Sequence, residues 1–263
     1  MRTSTRAVLY GSPIGMLGGL IGLGGAEFRL PVLKAAFQRP THQAVALNLA
    51  VSLLTLVSSL AIRLSVAPPR GLVGWLPVLA GLTGGSMLGA YLGAAYASRI
   101  SVERLERWIM LLLASIGLAL IAEAFFPLRS VGIDVALVFR MPVALVLGVG
   151  IGLVSSLLGV AGGEVIIPTL ALVFGADIKT AGTLSVMISL PTVSVGIWRY
   201  ARRAAYDVTD LRALVLPMGI GSVVGALAGG YLVPYVPAPT LKLVLGVILI
   251  VSAVRIFRHP TTA

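Results

Sequence analysis

Long apolar runs, separated by short polar or charged stretches, follow one another along this chain. Six of these runs are poor in charge and have about the 20 residues that an α-helix needs to cross a bilayer. They cover residues 43–66, 72–97, 103–126, 180–199, 211–233 and 240–256. Two further apolar blocks, 7–37 and 143–174, are interrupted by glycines. The pattern predicts an all-α integral membrane protein.

The two interrupted blocks contain the same motif. Residues 22–31, Gly-Leu-Gly-Gly-Ala-Glu-Phe-Arg-Leu-Pro, return as residues 159–168, Gly-Val-Ala-Gly-Gly-Glu-Val-Ile-Ile-Pro. At this offset of 137 residues, 13 of the 41 positions in 15–55 are identical in 152–192. We therefore predict two homologous membrane repeats, residues 1–130 and 131–263, which form one integrated transport unit.

The glycines and the following proline must interrupt any helix that runs through these blocks. The segment 28–37 is only ten residues long, about 15 Å as a helix, and is too short to cross the membrane alone. Two geometries remain open. A kinked span in each half gives eight spans and a parallel repeat. A re-entrant hairpin in each half gives three spans plus the hairpin, and therefore an inverted repeat, which we favour.

Composition supports the membrane assignment, because the chain is 58% hydrophobic and 11% charged, whereas soluble domains are about 25% charged. A net charge of +11 would indicate a nucleic-acid partner in a soluble protein. Here the arginines lie at helix ends and in short loops, as in the positive-inside pattern. We therefore expect membrane lipid as the partner, no nucleic acid, and both termini in the cytoplasm.

The doubled motif, which ends at Pro31 and again at Pro168, resembles that of the sulfite exporter TauE/SafE family, also called the toluene sulfonate uptake permease family. The resemblance extends from Gly15 to about Ile256. It implies a multi-pass protein of the bacterial or archaeal inner membrane that transports small sulfur-containing anions, such as sulfite or organosulfonates. Ala26 and Ala161 depart from a full glycine triplet, but each replaces one small residue by another.

Helices broken in mid-membrane leave backbone N–H groups that favour an anion when they face a cavity. Polar residues on the helix after each motif would complete the site, although small polar residues also hold membrane helices together. The candidate substrate-binding residues are Gly22, Gly24, Gly25, Arg29, Asn48 and Ser52 in the first half, and Gly159, Gly162, Gly163, Ser185 and Ser189 in the second. Thr55 and Thr192 continue the two polar faces.

Arg29 is a cation deep within the first block, and its counterpart in the second repeat is Ile166. It could contact the anion, extend to the membrane interface, or only neutralise Glu27.

Glu27 and Glu164 occupy equivalent positions beside the two breaks. An ionised carboxylate in this setting costs several kcal/mol unless it is paired, so each glutamate either caps backbone N–H groups at its own break or carries a proton. Because Arg29 follows Glu27 closely, we expect Glu27 to stay ionised and Glu164 to be the better proton carrier.

These features indicate a secondary transporter, possible alternatives being an anion channel or a non-transporting membrane sensor. A membrane-embedded enzyme fits less well, because the predicted spans lack histidine, cysteine and paired aspartates. We predict no cofactor and no metal site.

Overall fold

Glycines and short polar stretches set the ends of the helices. The computed structural model describes residues 3–69, 71–96, 102–125, 137–158, 161–202 and 206–258, and within these ranges the secondary structure is helical, without strands. The first half contains α1 (Thr3–Ile21), α2 (Ala26–Ala35), α3 (Thr41–Val66), α4 (Leu72–Tyr96) and α5 (Val102–Phe125). The second half contains α6 (Leu137–Leu158), α7 (Gly163–Pro168), α8 (Ile178–Arg202), α9 (Val208–Asp210), α10 (Leu216–Leu232) and α11 (Ala238–Arg258). Two π-helical turns, Thr169–Val173 and Leu211–Val215, extend α7 and join α9 to α10.

Five helical segments of the described chain are long and apolar enough to cross a membrane. They are Gln43–Val66, Leu72–Leu92, Phe139–Ser156, Ile178–Arg202 and Val208–Leu232. Predicted spans 103–126 and 240–256 form α5 and α11, whose apolar described parts are shorter, Leu113–Phe125 and Ala238–Val254. Large apolar side chains such as Leu9, Val73, Leu118, Val146 and Val224 are more than half exposed, as expected of surfaces that face lipid.

Glycines at every fourth position allow two pairs of helices to pack closely. Gly221, Gly225 and Gly229 of α10 lie against the backbone of α1 at successively later residues, so the two helices run parallel. Gly81, Gly85 and Gly89 of α4 meet α6 in the same way. This confirms the packing role that the spacing predicts, because small residues let backbones approach in a membrane.

Two other helix pairs run antiparallel. At one end of α3, Arg63 donates to Thr183 of α8, and toward the other end Leu49 lies beside Gly196. On α5 and α11, Gly117 meets Gly246, while Glu123 forms an ion pair with Lys242. By the repeat offset, α8 is the counterpart of α3 and α11 that of α5. Each of these helices therefore passes its own counterpart in the opposite direction.

The chain reverses at each motif. A Cβ on Gly25 would lie 2.7 Å from Cγ2 of Ile14, and one on Gly162 would lie 3.4 Å from Cγ2 of Ile151. Eleven residues of continuous helix would hold each pair about 16 Å apart. The ring of Tyr10 also meets that of Phe37, with 6.2 Å between centroids. The short helix α2 thus returns beside α1, as in the hairpin geometry and not in the kinked span.

Candidate functional site

Left-handed glycines form the two breaks. Gly22, Gly24 and Gly25 have φ angles of 97°, 81° and 73°, and Gly162 has 78°. Residues with a Cβ pay about 1–2 kcal/mol for this conformation. Gly25 and Gly162 directly precede α2 and α7 and are the N-caps of these helices. The repeated glycines are therefore required by the backbone at equivalent points of both halves.

The two motifs touch inside the protein. A Cβ on Gly163 would lie 3.1 Å from Cα of Leu23. Ala26 and Ala161, the two residues that depart from the glycine triplets, are fully buried in one apolar cluster. Gly159 of the second motif lies outside the described residues. The short helices α2 and α7 thus begin close together, next to the antiparallel pair α3 and α8.

Arg29 occupies a polar pocket of the first half, which we call the first cradle: Asn48, Ser52, Thr55 and Ser222. The side chain is 0% exposed, which excludes the alternative that it extends to a membrane interface. Its guanidinium donates to Ser52 Oγ (2.9 Å), Thr55 Oγ1 (3.1 Å), the Gly24 carbonyl (3.2 Å), Asn48 Oδ1 (3.4 Å) and Ser222 Oγ (3.4 Å). Both terminal nitrogens are therefore used by neutral oxygens of the protein, and Nε has no hydrogen-bond partner in the described chain.

The two motif glutamates are buried, Glu27 being 8% and Glu164 6% exposed. Both carboxylate oxygens of Glu27 lack a hydrogen-bond partner among the described residues. Among the described residues, ion pairs join Arg39 to Asp210 and Lys242 to Glu123, and none joins Arg29 to Glu27. Arg29 therefore does not neutralise Glu27 through an ion pair.

The equivalent pocket of the second half, the second cradle, consists of Ser185, Ser189, Thr192 and Ser86. Thr192 and Ser86 hydrogen-bond each other directly, with 3.0 Å between their hydroxyl oxygens. The hydroxyls of Ser185 and Ser189 are buried and have no hydrogen-bond partner within the described residues. Ile166 replaces Arg29, and it is buried too. The second cradle therefore repeats the hydroxyls of the first but holds no cation.

A second fully buried cation, Arg63, was not among the predicted site residues. Its guanidinium donates to Thr183 Oγ1 (3.1 Å) and to the carbonyls of Lys179 (2.8 Å), Gly19 (3.0 Å) and Leu20 (3.1 Å). The last two carbonyls lie at the end of α1, where the break leaves them without intrahelical partners. Arg63 thus ties the end of α1 to the start of α8. A charge inside the apolar run 43–66 was the signal that could have revealed it.

The sequence-predicted polar residues accordingly divide between the two cradles. Arg29, Asn48 and Ser52 lie together in the first, while Ser185 and Ser189 lie together in the second, beside Gly163, whose Cβ would be 3.3 Å from Ser185 Oγ. No group of three histidine, cysteine, aspartate or glutamate side chains in the described ranges is arranged to hold a metal ion. The chemistry that these residues offer is hydrogen bonding and charge.

Comparison with known proteins gives the family. The model of the sulfite exporter TauE/SafE family matches residues 1–120 and 144–263. The probable membrane transporter protein YunE of Bacillus subtilis (strain 168) is 32% identical over 114 residues, which are 43% of this chain and 40% of that protein. The match thus spans less than half the length of that relative. No solved structure matches the chain. Because the family match covers most of both halves, the chain belongs to the sulfite exporter TauE/SafE family of membrane transporters.

Proposed function

We propose that this protein is a secondary transporter, a permease or exporter, for small sulfur-containing anions such as sulfite or organosulfonates. The observation that carries the proposal is Arg29, a cation with no exposed surface that lies at a helix break among membrane-spanning helices. A buried charge is costly in a membrane and marks functional sites there. A positive centre beside two helix breaks suits an anionic substrate.

The two repeats, residues 1–130 and 131–263, would move against each other around the breaks, so that the site opens to either side of the membrane in turn. Support comes from the direction of the helices. Counterparts α3 and α8 run antiparallel, and so do α5 and α11. An inverted repeat, with its pseudo-two-fold axis in the membrane plane, produces this arrangement, whereas a parallel repeat does not.

Transport would be coupled to protons through the motif glutamates. Glu27, and not Glu164 as the sequence suggested, is the stronger candidate, because its buried carboxylate oxygens have no hydrogen-bond partner in the described residues. An ionised carboxylate in such a place is costly, and protonation removes the cost. Glu164, buried at the equivalent position, provides the comparison.

The orientation follows from charge. With Arg29 left out as a residue inside the membrane, thirteen arginines and lysines fall on one side of the hairpin topology and six on the other. By the positive-inside rule, the richer side, which includes both termini, faces the cytoplasm. The inner membrane of a bacterium or archaeon is the proposed location.

Flux into proteoliposomes tests the function. Purified protein is reconstituted, and uptake of sulfite, sulfate, thiosulfate, taurine and sulfoacetate is measured with and without a pH gradient. Saturable uptake of a sulfur anion above that of protein-free liposomes is the expected result. Uptake that never saturates would indicate a channel, and absence of uptake for every anion, in both directions, would contradict the proposal.

Two matched variants test the coupling. Glu27→Gln should keep saturable uptake while losing its dependence on the pH gradient, because the amide cannot carry a proton. Glu164→Gln serves as the counterpart control. If only Glu164→Gln loses the dependence, the assignment to Glu27 is wrong; if both variants keep it, neither glutamate couples transport to protons.

A further inference from the structure

We propose that the hydroxyls of Ser59, Ser185 and Ser189 form the subsite that binds the oxygen atoms of the transported anion, and that this anion carries a single charge. The inference rests on the proposed transport function. It assigns binding to neutral hydroxyls between α3 and α8, and not to a direct ion pair with Arg29.

The three hydroxyls share a property that few buried groups have. Each side chain is 0% exposed, and none of the three hydroxyls has a hydrogen-bond partner within the described ranges. Buried polar groups are almost always hydrogen-bonded, so each exception calls for an explanation. Other serines of the same helices behave differently, since Ser58 and Ser194 donate to carbonyls of their own helix.

The register of the antiparallel pair brings the three hydroxyls to one level. Arg63 lies opposite Thr183, and Leu49 lies opposite Gly196. This register places Ser59 level with the turn between Ser185 and Ser189. Ser59 also lies one helical turn from both Thr55 and Arg63, so it shares the face of α3 that these buried residues occupy.

The subsite adjoins the second motif. Ser185 Oγ would lie 3.3 Å from a Cβ on Gly163, and the backbone of Leu23 from the first motif lies beside the same glycine. Gly163 and the backbone of Leu23 therefore lie at the space around Ser185 Oγ. Both motifs border this space, which is where a substrate must lie if movement of the repeats is to expose it to either side.

Arg29 is engaged elsewhere. Its two terminal nitrogens donate to five oxygens of the protein. An anion that paired with it directly would have to displace contacts of the first cradle. The guanidinium instead acts through its charge, which favours a nearby anion without a direct bond.

The charge balance favours a monoanion. Two buried arginines, Arg29 and Arg63, stand against two buried motif glutamates, Glu27 and Glu164. A bound sulfonate or hydrogen sulfite ion adds one negative charge, which one proton on a glutamate neutralises. Sulfate adds two, and protonation of Glu27 alone, the proposed proton carrier, would leave the second charge uncompensated in a membrane-embedded site, which is costly. Hydroxyl groups can donate hydrogen bonds to the oxygen atoms of such pyramidal or tetrahedral ions.

The test compares serine variants in uptake and in binding. In the double variant Ser185→Ala with Ser189→Ala, the KM for sulfite uptake should rise about tenfold or more, because each lost hydrogen bond weakens binding severalfold. Ser59→Ala should raise KM by a smaller factor. The free energy of unfolding without ligand should stay unchanged, since these hydroxyls have no hydrogen-bond partner within the described residues. Ser58→Ala and Ser194→Ala are the matched controls and should keep the wild-type KM.

Stabilisation by methanesulfonate, read as a shift in the unfolding temperature, separates binding from transport. If wild-type protein transports sulfite and the serine variants keep its KM within about twofold, the subsite is wrong while the transport function stands. If methanesulfonate stabilises the wild type but not the double variant, and no anion is transported, the subsite stands and the transport function fails.

Competition tests the charge. Methanesulfonate should inhibit sulfite uptake at concentrations about tenfold or more below those needed for sulfate. Equal or stronger inhibition by sulfate would overturn the preference for a monoanion.

Discussion

The first and second cradles are built from residues at equivalent repeat positions, yet only the first surrounds a cation. Asn48, Ser52 and Thr55 surround a guanidinium in the first half. Ser185, Ser189 and Thr192 occupy the same repeat positions in the second half, where Ile166 replaces the arginine. In the first cradle the hydroxyls of Ser52 and Thr55 accept bonds from Arg29. In the second, Thr192 bonds to Ser86, and the two serine hydroxyls have no partner in the described chain.

The replacement of Arg29 by Ile166 thus gives different chemical properties to equivalent positions of the two repeats. The first half supplies positive charge, because Arg29 and Arg63 are the arginines buried among the described residues and both belong to it. The second half supplies the hydroxyls of Ser185 and Ser189, which join Ser59 of the first half as hydroxyls without a hydrogen-bond partner in the described residues. Under the proposed function the anion uses both, whereas a strictly symmetric duplicate would carry the same buried charges in each half. Variants at equivalent positions of the two halves can therefore be compared directly.

The largest effect is expected from Arg29→Met. Removing the guanidinium leaves buried acceptors of the first cradle without their donor, at about 1–3 kcal/mol each for those that find no new one, and a total loss of roughly 3–5 kcal/mol. Anion uptake should fall below detection with the loss of positive charge. Ile166→Met, a swap of similar volume, should cost less than about 1.5 kcal/mol. Unfolding in detergent and uptake by proteoliposomes measure both variants, and equal losses would contradict the asymmetry.

Alanine at the two N-cap glycines should give the next largest difference. Both Gly25→Ala and Gly162→Ala place a Cβ in the left-handed region, which costs about 1–2 kcal/mol. At Gly25 the new methyl would also lie 2.7 Å from Ile14 Cγ2, whereas at Gly162 the nearest atoms are 3.4 Å away. Overpacking adds about 1–3 kcal/mol at Gly25 alone. Unfolding temperatures check this order, and a larger loss at Gly162 would contradict the contacts described here.

The smallest difference concerns the threonines. Thr55→Val removes an acceptor from Arg29 NH2, which remains buried, and should cost about 1–3 kcal/mol. Thr192→Val removes one hydroxyl from a pair in which Ser86 can still donate to the Leu82 carbonyl, so the loss should stay below about 1 kcal/mol. The same unfolding measurement applies. If Thr192→Val lowers the free energy of unfolding as much as Thr55→Val does, the hydrogen bond from Arg29 to Thr55 adds no stability of its own.

Much of the site could be predicted from the duplicated motif. Spacings of three and four residues placed Asn48, Ser52 and Thr55 on one helical face, and all three are buried. The four-residue spacing of Gly81, Gly85 and Gly89 likewise corresponds to their contacts with the backbone of α6. Of the three roles that the sequence left open for Arg29, two do not fit the structure: extension to the interface and an ion pair with Glu27. Nearness in sequence suggested that pair, but on α2 the arginine points to α3 and Ser222, where acceptors from two other helices converge.

The sequence alone determined the membrane class, the duplication, the positions of the helix breaks and the polar face of each helix. These features are local, because they depend on hydrophobic length, on residues that cannot continue a helix, and on the helical period. Tertiary structure decided the partners: α1 beside α10, α3 antiparallel to α8, and Arg63 bound to carbonyls of α1 and α8. Lipid satisfies any apolar surface, so partner choice in a membrane depends on close backbone packing and on buried polar contacts. The contacts of α1 with α10 and of α3 with α8 join residues more than a hundred positions apart, and only the assembled helices bring their atoms together.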